Sequence, residues 1–388
     1  MDFLLTDDQQ AICEQIQKLC TSFGDDYWLE RDQTGLFPIE FFRAVADGGW
    51  LGIAMPEAYG GAGYGLTEAA LMMHTVANSS GAMSAASAIH INIFGPNPIV
   101  MFGSESQKQR WLPELIKGKT QSCFGVTEPD AGINTTSIKT RATRCDDGYR
   151  VDGRKIWTST ALEADRIMLL TRTTLKEECA SPTQGMTLFY TELNREYCDV
   201  RPIPKMGRAA VDSCEVFIDN LPVLKEDRIG AEGEGFKYLL HSLNPERILI
   251  AAEAIGIGRN ALARATQYAK DRVVFNRPIG QNQSIQHPLA KNWIELEAAW
   301  LMTMRAASRY DAKQACGVEA NSAKYLAAEA GFSACTQAVM THGGMGYAKE
   351  FHVERYLREV LITRLAPVSP QLILCNIAEK ALGLPKSY

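Results

Sequence analysis

The sequence predicts an α+β protein with three domains: an N-terminal α-helical domain, a middle β domain and a C-terminal four-helix bundle. Residues 6–119 show apolar positions at helical spacing between glycine-rich turns. Residues 121–230 concentrate the residue types that favour strands, and the helical period returns at Gly235 and persists. A chain of 388 residues can form two or three separate cores. We therefore expect domains at 1–120, 121–232 and 233–388.

The N-terminal domain is expected to consist of amphipathic helices. Apolar positions recur at helical spacing from Pro38 to Gly48, and Pro38 suits the first turn of that helix. Further helices are predicted from Thr67 to Ser79, which is rich in Ala, Leu and Met, and from Glu105 to Ile116. The loop Gly60-Gly61-Ala62-Gly63 separates the first helix from the second.

The middle domain is predicted from segments with the composition of strands, which are SCFGVTE, YRVDGRKIWTS, RIMLLTRT, GMTLFYTEL and SCEVFIDNLPV. The stretch DDGYRVDGRKI predicts a β-hairpin, because an Asp-Gly pair beside strand-forming residues is a turn signal. These features indicate a small β domain that ends near Gly230.

The C-terminal region is predicted to form a four-helix bundle. One long helix is expected from Pro245 to Arg272, with Asn244 as its cap and Pro245 in its first turn. Two more are expected from His287 to Cys316 and from Ala320 to Thr341. The first helix carries small residues that permit close helix packing, namely Ala251, Ala252, Gly256 and Gly258.

Composition and charge exclude several classes of function. The net charge of -5 gives no sign of a generally basic, nucleic-acid-binding surface. The start MDFLLTDDQQ lacks the features of a secretory or transit leader, and no apolar run approaches a membrane span. The ten cysteines and six histidines form no C-x-x-C or H-E-x-x-H pattern, so we expect no metal site. Reduced cysteines fit a cytoplasmic protein best.

Five short sequence motifs, in order and at suitable spacings, carry a family resemblance. They are FGVTEPDAG from Phe124, KIWTS from Lys155, RVVFNRPIGQNQ from Arg272, HGGMGY from His342 and VERYLRE from Val353. Together they resemble the blocks of the acyl-CoA dehydrogenase family, and the resemblance covers essentially the whole chain. It implies the three-domain fold above, FAD as cofactor and an acyl-CoA substrate. It also implies a homotetramer (or homodimer) that passes electrons to an electron-transfer flavoprotein.

The resemblance also assigns a flavin-ring site in the middle domain. Thr127 and Ser159 match family positions that bond the isoalloxazine ring, and Trp157 matches the residue stacked near its face. Phe124 and Val126 match the strand beside the ring. The alternative is that Trp157 is a core aromatic residue of the sheet and Thr127 is a turn residue.

The remaining cofactor contacts fall in the C-terminal region. Arg272 matches the family arginine for the FAD pyrophosphate. The alternative is a partner for the dipole at the end of a helix, and the two roles are compatible. The other matching residues are Phe275 near the adenine end, Gln283, Gly343 and Gly344 from a neighbouring subunit, and Ser369 and Gln371 as the last contacts. No Rossmann fingerprint is present, so a nicotinamide cofactor is not indicated.

The reaction of the family removes an α proton from a thioester while a hydride leaves the β carbon for flavin N5. Many members carry the glutamate base in a late loop, but the matching residue here is Pro367. A minority, including isovaleryl- and long-chain-type enzymes, carries it on the first bundle helix, where Glu246 matches. We therefore predict Glu246 as the base. The alternative is a glutamate that only complements a helix N-terminus, which would lower its pKa, whereas a bound acyl chain would raise it.

Substrate contacts are less fully matched. Asn244 and Arg247 match the family's substrate-binding motif around the base. The alternative for Arg247 is that it forms a surface ion pair. Pro367 lacks the N–H that helps to bond the thioester carbonyl in the family. Ile133-Asn134 and Met340 also depart from the usual residues. Two rival functions therefore stay open: an acyl-CoA oxidase-like flavoenzyme, and a homologue that binds FAD or acyl-CoA without catalysis.

Overall fold

The N-terminal part of the computed structural model, which describes residues 4–387, is entirely helical. Its helices are α1 (Asp7–Thr21), α2 (Asp25–Thr34), α3 (Ile39–Asp47), α4 (Leu66–Ala77), α5 (Ala82–Phe94), α6 (Asn97–Phe102) and α7 (Glu105–Ile116). The prediction for Glu105–Ile116 is confirmed, and a capping box between Ser104 and Gln107 fixes its start. Pro38 is the N-cap of α3 and lies just outside its first turn.

The middle part is one mixed sheet. Its strands are β1 (Ser122–Gly125), β2 (Arg141–Cys145), β3 (Gly148–Ser159), β4 (Arg166–Arg172), β5 (Met186–Glu192), β6 (Cys198–Pro202), β7 (Ser213–Leu224) and β8 (Arg228–Ile229). The order is β6-β7-β3-β2-β4-β5-β8, and β1 pairs in parallel with β4. Strands β2 and β3 form the predicted hairpin, in antiparallel register from Cys145 and Gly148 outward. The register between β3 and β7 shifts between Lys155 and Thr158, and this bulge lies in the predicted flavin strand.

The C-terminal part is a bundle of long helices with shorter ones at its end. Its elements are α8 (Gly235–Asp271), β9 (Val273–Val274), β10 (Arg277–Pro278), α9 (Gln283–Asp311), α10 (Gly317–His342), α11 (Val353–Val360), α12 (Ile362–Leu365) and α13 (Pro370–Lys380). Helices α8 and α10 run in parallel, since Gly258 lies against Gly331 and the Tyr268 ring stacks on His342 near the C-terminal ends. A methyl group at Gly258 would lie 3.0 Å from the Cα of Gly331. The predicted role of these small residues in close packing is therefore confirmed.

The predicted start of the first bundle helix was wrong. Helix α8 begins at Gly235, so Asn244 and Pro245 lie in its interior. Proline cannot donate to the carbonyl of the residue four positions earlier, and this break normally ends a helix. Here the freed carbonyl, that of His241, accepts a hydrogen bond from Asn97 Nδ2 at 3.4 Å. A tertiary contact from α6 therefore supplies the donor that Pro245 removes.

None of the ten cysteines is paired in a disulfide. Within residues 4–387, no single helix is long and apolar enough to cross a membrane. Among these residues, only the two segments Val353–Leu365 and Pro370–Lys380, which are bent relative to each other, are together long and apolar enough to do so. The same residues hold no cluster of three or more His, Cys, Asp or Glu side chains suited to a metal ion.

Candidate active site

Glu246 lies in the fourth turn of α8, half-buried against α5 and α10. Burial raises the pKa of its carboxyl to about 7. The His90 ring, Arg247 and Lys324 act against this rise in pKa, and Glu253 adds to it. Because α8 begins at Gly235, Glu246 is too far from the helix N-terminus for the dipole to lower its pKa. Desolvation therefore controls its proton affinity, even without a bound ligand.

The loop that carries Pro367 lies beside this carboxylate. Lys324, a fully buried residue of α10, donates from Nζ to the carbonyl oxygen of Val368 at 2.7 Å. Burial lowers the pKa of Lys324 to about 8, and Arg247 adds to this effect. Lys324 is also near enough to affect the Glu246 carboxyl. It therefore connects the late loop to the turn of α8 that carries Glu246.

Arg247 is not part of a surface ion pair. Its Nη1 donates to Asn244 Oδ1 at 3.2 Å, and its buried Nε has no partner among residues 4–387. Burial lowers the pKa of Arg247, while Glu246 raises it. The guanidinium is thus held beside Glu246 with donor capacity left for an anionic or carbonyl ligand.

The predicted flavin-ring residues form one surface on the middle domain. The Ile156 N–H donates to the Thr127 carbonyl at 3.0 Å, which joins the loop after β1 to the bulge in β3. Within that bulge Trp157 has a φ of 60° and is 56% exposed, so it is not a core aromatic residue. Thr127 and Ser159 are both half-buried, and the Thr127 backbone is bonded to the residue next to Trp157. An exposed aromatic ring on this strand can stack on a planar heteroaromatic ring such as the flavin.

A buried ion pair supports this surface, and the sequence analysis did not single it out. Lys155 Nζ lies 2.8 Å from Glu128 Oε1 and 3.1 Å from the Val126 carbonyl oxygen. The Glu128 carboxylate also accepts the N–H groups of Lys139 at 2.6 Å and Thr140 at 2.9 Å. Burial opposes ionisation of Glu128, but Lys155 and these bonds outweigh it and lower the pKa. Both residues lie within the words FGVTEPDAG and KIWTS, where their opposite charges were the available signal.

The flavin-ring surface meets the helix that faces Glu246. Phe124 on β1 packs against Phe94 of α5, with ring centroids 5.5 Å apart. Phe94 in turn packs on the His90 ring at 4.7 Å, and His90 is within electrostatic range of Glu246. The candidate base and the flavin strand are therefore linked through α5. A cavity of about 140 Å³, lined in part by Phe94, Pro245 and Leu249, lies on the adjacent face of α8.

The other predicted cofactor residues lie at the opposite end of the bundle. Arg272 follows α8, Gln283 begins α9, and Gly343 and Gly344 follow α10. Phe275 is 94% exposed at the tip of the β9–β10 hairpin. The 26 residues from Glu246 to Arg272 span about 40 Å of helix. One chain therefore does not bring this group together with the flavin-ring surface.

The last two predicted contacts lie at the start of α13. Ser369 is the N-cap of that helix, and its Oγ accepts the Leu372 N–H at 3.3 Å. Gln371 is exposed in the first turn. Lys324 donates to the carbonyl of Val368, the residue before Ser369. Through this contact, Ser369 and Gln371 are linked to the Glu246 side of the bundle and not to the Arg272 end.

A second acid–base pair near Glu246 was missed by the sequence analysis. His90 Nδ1 lies 3.1 Å from Glu253 Oε1, and the Glu253 side chain is fully buried. The two residues are 163 positions apart, so no local pattern could have indicated their contact.

Comparison with known proteins assigns all three parts of the chain to one family. The N-terminal, middle and C-terminal domain models of acyl-CoA dehydrogenase match residues 6–119, 123–221 and 233–381. Acyl-CoA dehydrogenase FadE12 of Mycobacterium tuberculosis is 35% identical over 392 aligned positions, which cover 100% of this chain and 99% of that protein.

Solved structures agree with this assignment. Butyryl-CoA dehydrogenase from Megasphaera elsdenii superposes with a TM-score of 0.94 at 30% identity, covering 99% of this chain and 100% of that one. The prolyl acyl carrier protein oxidase AnaB gives 0.91 at 26% identity, covering 98% and 100%. The FAD complex of PigA gives 0.93 at 25% identity, covering 99% and 100%. The predicted fold is confirmed, and the chain belongs to the acyl-CoA dehydrogenase family of FAD-dependent oxidoreductases.

Proposed function

We propose that the chain oxidises an acyl-CoA thioester to a trans-2-enoyl-CoA, with Glu246 as the base that removes the α proton. The observation that carries this proposal is the half-buried Glu246 carboxyl with a pKa of about 7. A base whose pKa lies near the working pH combines a large ionised fraction with a high affinity for the proton. In sequence, Glu246 matches the base position of the isovaleryl- and long-chain-type enzymes, and we assign the chain to that subgroup as part of the proposal.

The late loop offers no competing base. Pro367 has no ionisable side chain, and Lys324 Nζ donates to the Val368 carbonyl at 2.7 Å. Because Pro367 also lacks an N–H, the thioester carbonyl must find its donor elsewhere. Arg247, held against Asn244 with Nε free of a protein partner among the described residues, supplies donors to the CoA side of the substrate.

The flavin-ring surface supplies the second half of the site. Trp157 would cover one face of the ring, and Thr127 and Ser159 would bond its edge, with Phe124 and Val126 on the strand beside it. FAD, when bound, provides the acceptor for the hydride that leaves the β carbon. The ion pair of Lys155 and Glu128 keeps this surface in place and is itself shielded from solvent.

The distant cofactor residues are explained by assembly. We propose that Arg272, Phe275, Gln283, Gly343 and Gly344 reach the FAD of another copy of the chain, because they lie about 40 Å along α8 from Glu246. This arrangement requires a homotetramer or a homodimer. Ser369 and Gln371 complete the cofactor site.

The expected electron acceptor is an electron-transfer flavoprotein. The solved structures include one described as an electron-transferring flavoprotein of Acidaminococcus fermentans, with a TM-score of 0.94 and 30% identity. The likeness to the oxidase AnaB keeps oxygen as a second candidate acceptor. A homologue that binds FAD without catalysis is the third possibility.

The test is an anaerobic titration of the FAD-loaded protein with a panel of acyl-CoAs, following loss of the flavin absorbance. We expect at least one acyl-CoA to bleach the wild type. We expect Glu246→Gln to bind the same ligand and stay yellow, while the matched control Asp271→Asn, an exposed carboxylate on the same helix, bleaches normally. Equal bleaching of Glu246→Gln would show that the base lies elsewhere, and no bleaching by any acyl-CoA would favour the non-catalytic homologue. Admission of air to the bleached protein then separates a dehydrogenase from an oxidase.

A further inference from the structure

The His90–Glu253 pair is the most unusual polar feature near the proposed base. Glu253 is fully buried, and one of its oxygens lies 3.1 Å from His90 Nδ1. The other oxygen, Oε2, is buried without a hydrogen-bond partner among residues 4–387. A buried carboxylate that is only partly bonded lowers stability, so a fold that retains one has a reason other than stability.

The pair shares the helix face that carries Glu246. Residues seven positions apart on a helix lie on one face, two turns or about 10 Å apart, so Glu253 follows Glu246 along the inner side of α8. His90 reaches toward both, because it contacts Glu253 and acts electrostatically on Glu246. Ile250, which is 7% exposed, lies between the two carboxylates on α8.

The proposed binding mode places the acyl chain along α8. Asn244 and Arg247, which would contact the CoA part, flank Glu246 within one turn of α8. An acyl group whose α carbon faces Glu246, laid along this helix face, comes next to Ile250 and then to Glu253. Its carbons beyond the β position therefore come level with His90.

The chemistry of His90 at this point is set by its partner. The Glu253 carboxylate can only accept, so the His90 ring donates its Nδ1–H to it. The other nitrogen, Nε2, makes no hydrogen bond within the described residues, and the side chain is 13% exposed. It is therefore open to a hydrogen bond with a hydroxyl group of the substrate.

A second polar contact extends this end of the site. Ser87 lies one turn before His90 on α5, and its Oγ accepts from Arg208 Nη1 at 3.3 Å. Arg208 is also within electrostatic range of Glu253. The side chains on the inner side of α5 and α8 therefore change from apolar, at Phe94 and Ile250, to polar. The polar ones are His90, Ser87 and Arg208. A long alkyl chain would lie against these polar groups without forming hydrogen bonds to them.

We propose that His90, oriented by Glu253, selects a short acyl group that carries a hydroxyl group beyond its β carbon. This inference rests on the proposed dehydrogenase function. Sites that bond a substrate hydroxyl or amine discriminate strongly against the analogue that lacks it, because the protein group is then left unpaired.

The test compares two CoA thioesters of equal length and shape, 4-hydroxybutyryl-CoA and pentanoyl-CoA, in anaerobic rapid-mixing reduction of the FAD-loaded protein. For the wild type we expect the hydroxylated substrate to have a kcat/KM at least about tenfold higher. We expect His90→Leu to lose or reverse this preference and Glu253→Gln to weaken it. His90→Gln, which keeps a polar group able to donate and to accept, should recover part of it.

Three outcomes count against the inference. Equal or faster reduction by pentanoyl-CoA in the wild type overturns it and leaves the dehydrogenase function intact. A hydroxyl preference that survives in His90→Leu assigns the selection to another residue. If no acyl-CoA of any kind reduces the flavin, the proposed function fails and this inference fails with it. A wild type that does not prefer 4-hydroxybutyryl-CoA overturns the inference even where a variant does not fold or does not retain FAD.

Discussion

Acidification below neutral pH should slow flavin reduction sharply, because only the ionised Glu246 carboxylate can accept the α proton. With a pKa of about 7, about a tenth of the carboxyl is ionised at pH 6 and about a hundredth at pH 5. A glutamate at its ordinary value of 4.5 would remain almost fully ionised at pH 6. The rate of reduction should therefore fall about tenfold per pH unit below 7.

The same raised pKa predicts the opposite trend in stability. Between its unfolded value of 4.5 and its folded value of about 7, the unfolded chain releases this proton and the folded chain keeps it. The stabilisation that Glu246 gives by holding its proton is present below pH 4.5 and is lost as the pH rises through 7. The shift corresponds to a loss on the order of 3 kcal/mol. Glu246→Gln, which has no proton to lose, should become more stable relative to the wild type over this range.

Two measurements check this prediction. Anaerobic stopped-flow reduction at acyl-CoA concentrations well below saturation, from pH 5 to pH 8, gives the acid limb of the ligand-free protein. Urea unfolding of the wild type and Glu246→Gln over the same range gives the change in stability. An acid limb near pH 4.5, or a stability difference that does not vary with pH, would refute the assignment of a desolvated base at Glu246.

Three further predictions concern the groups around the site. Lys324→Met removes a charge that lowers the pKa of Glu246, so the fall in the rate of flavin reduction should begin at higher pH. An unchanged pH dependence would show that Lys324 acts only on the loop of Val368. Lys155→Met leaves Glu128 buried and unpaired, so urea unfolding should show a loss of about 3–5 kcal/mol together with weaker FAD retention. Partly restored stability is expected on adding Glu128→Gln, which removes the charge and keeps an acceptor for the Lys139 and Thr140 N–H groups. Its absence would argue against the ion pair as the cause. The Asp311 carboxylate accepts two N–H groups at the start of α4, at 2.7 and 2.9 Å. Asp311→Ala should therefore lower the free energy of unfolding by about 1–2 kcal/mol. An unchanged urea midpoint would contradict this role of Asp311.

The order of helical and β segments could be predicted from the sequence because it depends on local periodicity. The hairpin of β2 and β3 and the helix α7 follow from turn and capping signals within a few residues. The start of α8 could not be predicted in this way. Asn244-Pro245 has the local form of a helix start, but Asn97, on another helix, bonds the carbonyl that Pro245 frees. A tertiary contact thus overrode a valid local signal.

The candidate site shows the same division between local and distant information. Glu246 was indicated by its sequence word, but the cause of its raised pKa is burial among α5, α8 and α10, which no local pattern contains. From the sequence alone, either the helix dipole or desolvation could control the pKa of Glu246, because the predicted helix start lay beside this residue. His90 and Glu253 meet across 163 positions and could be found only in the folded chain.

The most direct test of Glu246 as the base separates proton removal from flavin reduction. An acyl-CoA that carries deuterium on its α carbon is incubated with the FAD-loaded protein, and loss of the label to water is followed by mass spectrometry. We predict that the wild type releases α deuterium while Glu246→Gln binds the same acyl-CoA without releasing it, and that Asp271→Asn behaves as the wild type does. Label loss from Glu246→Gln at the wild-type rate would contradict the central claim.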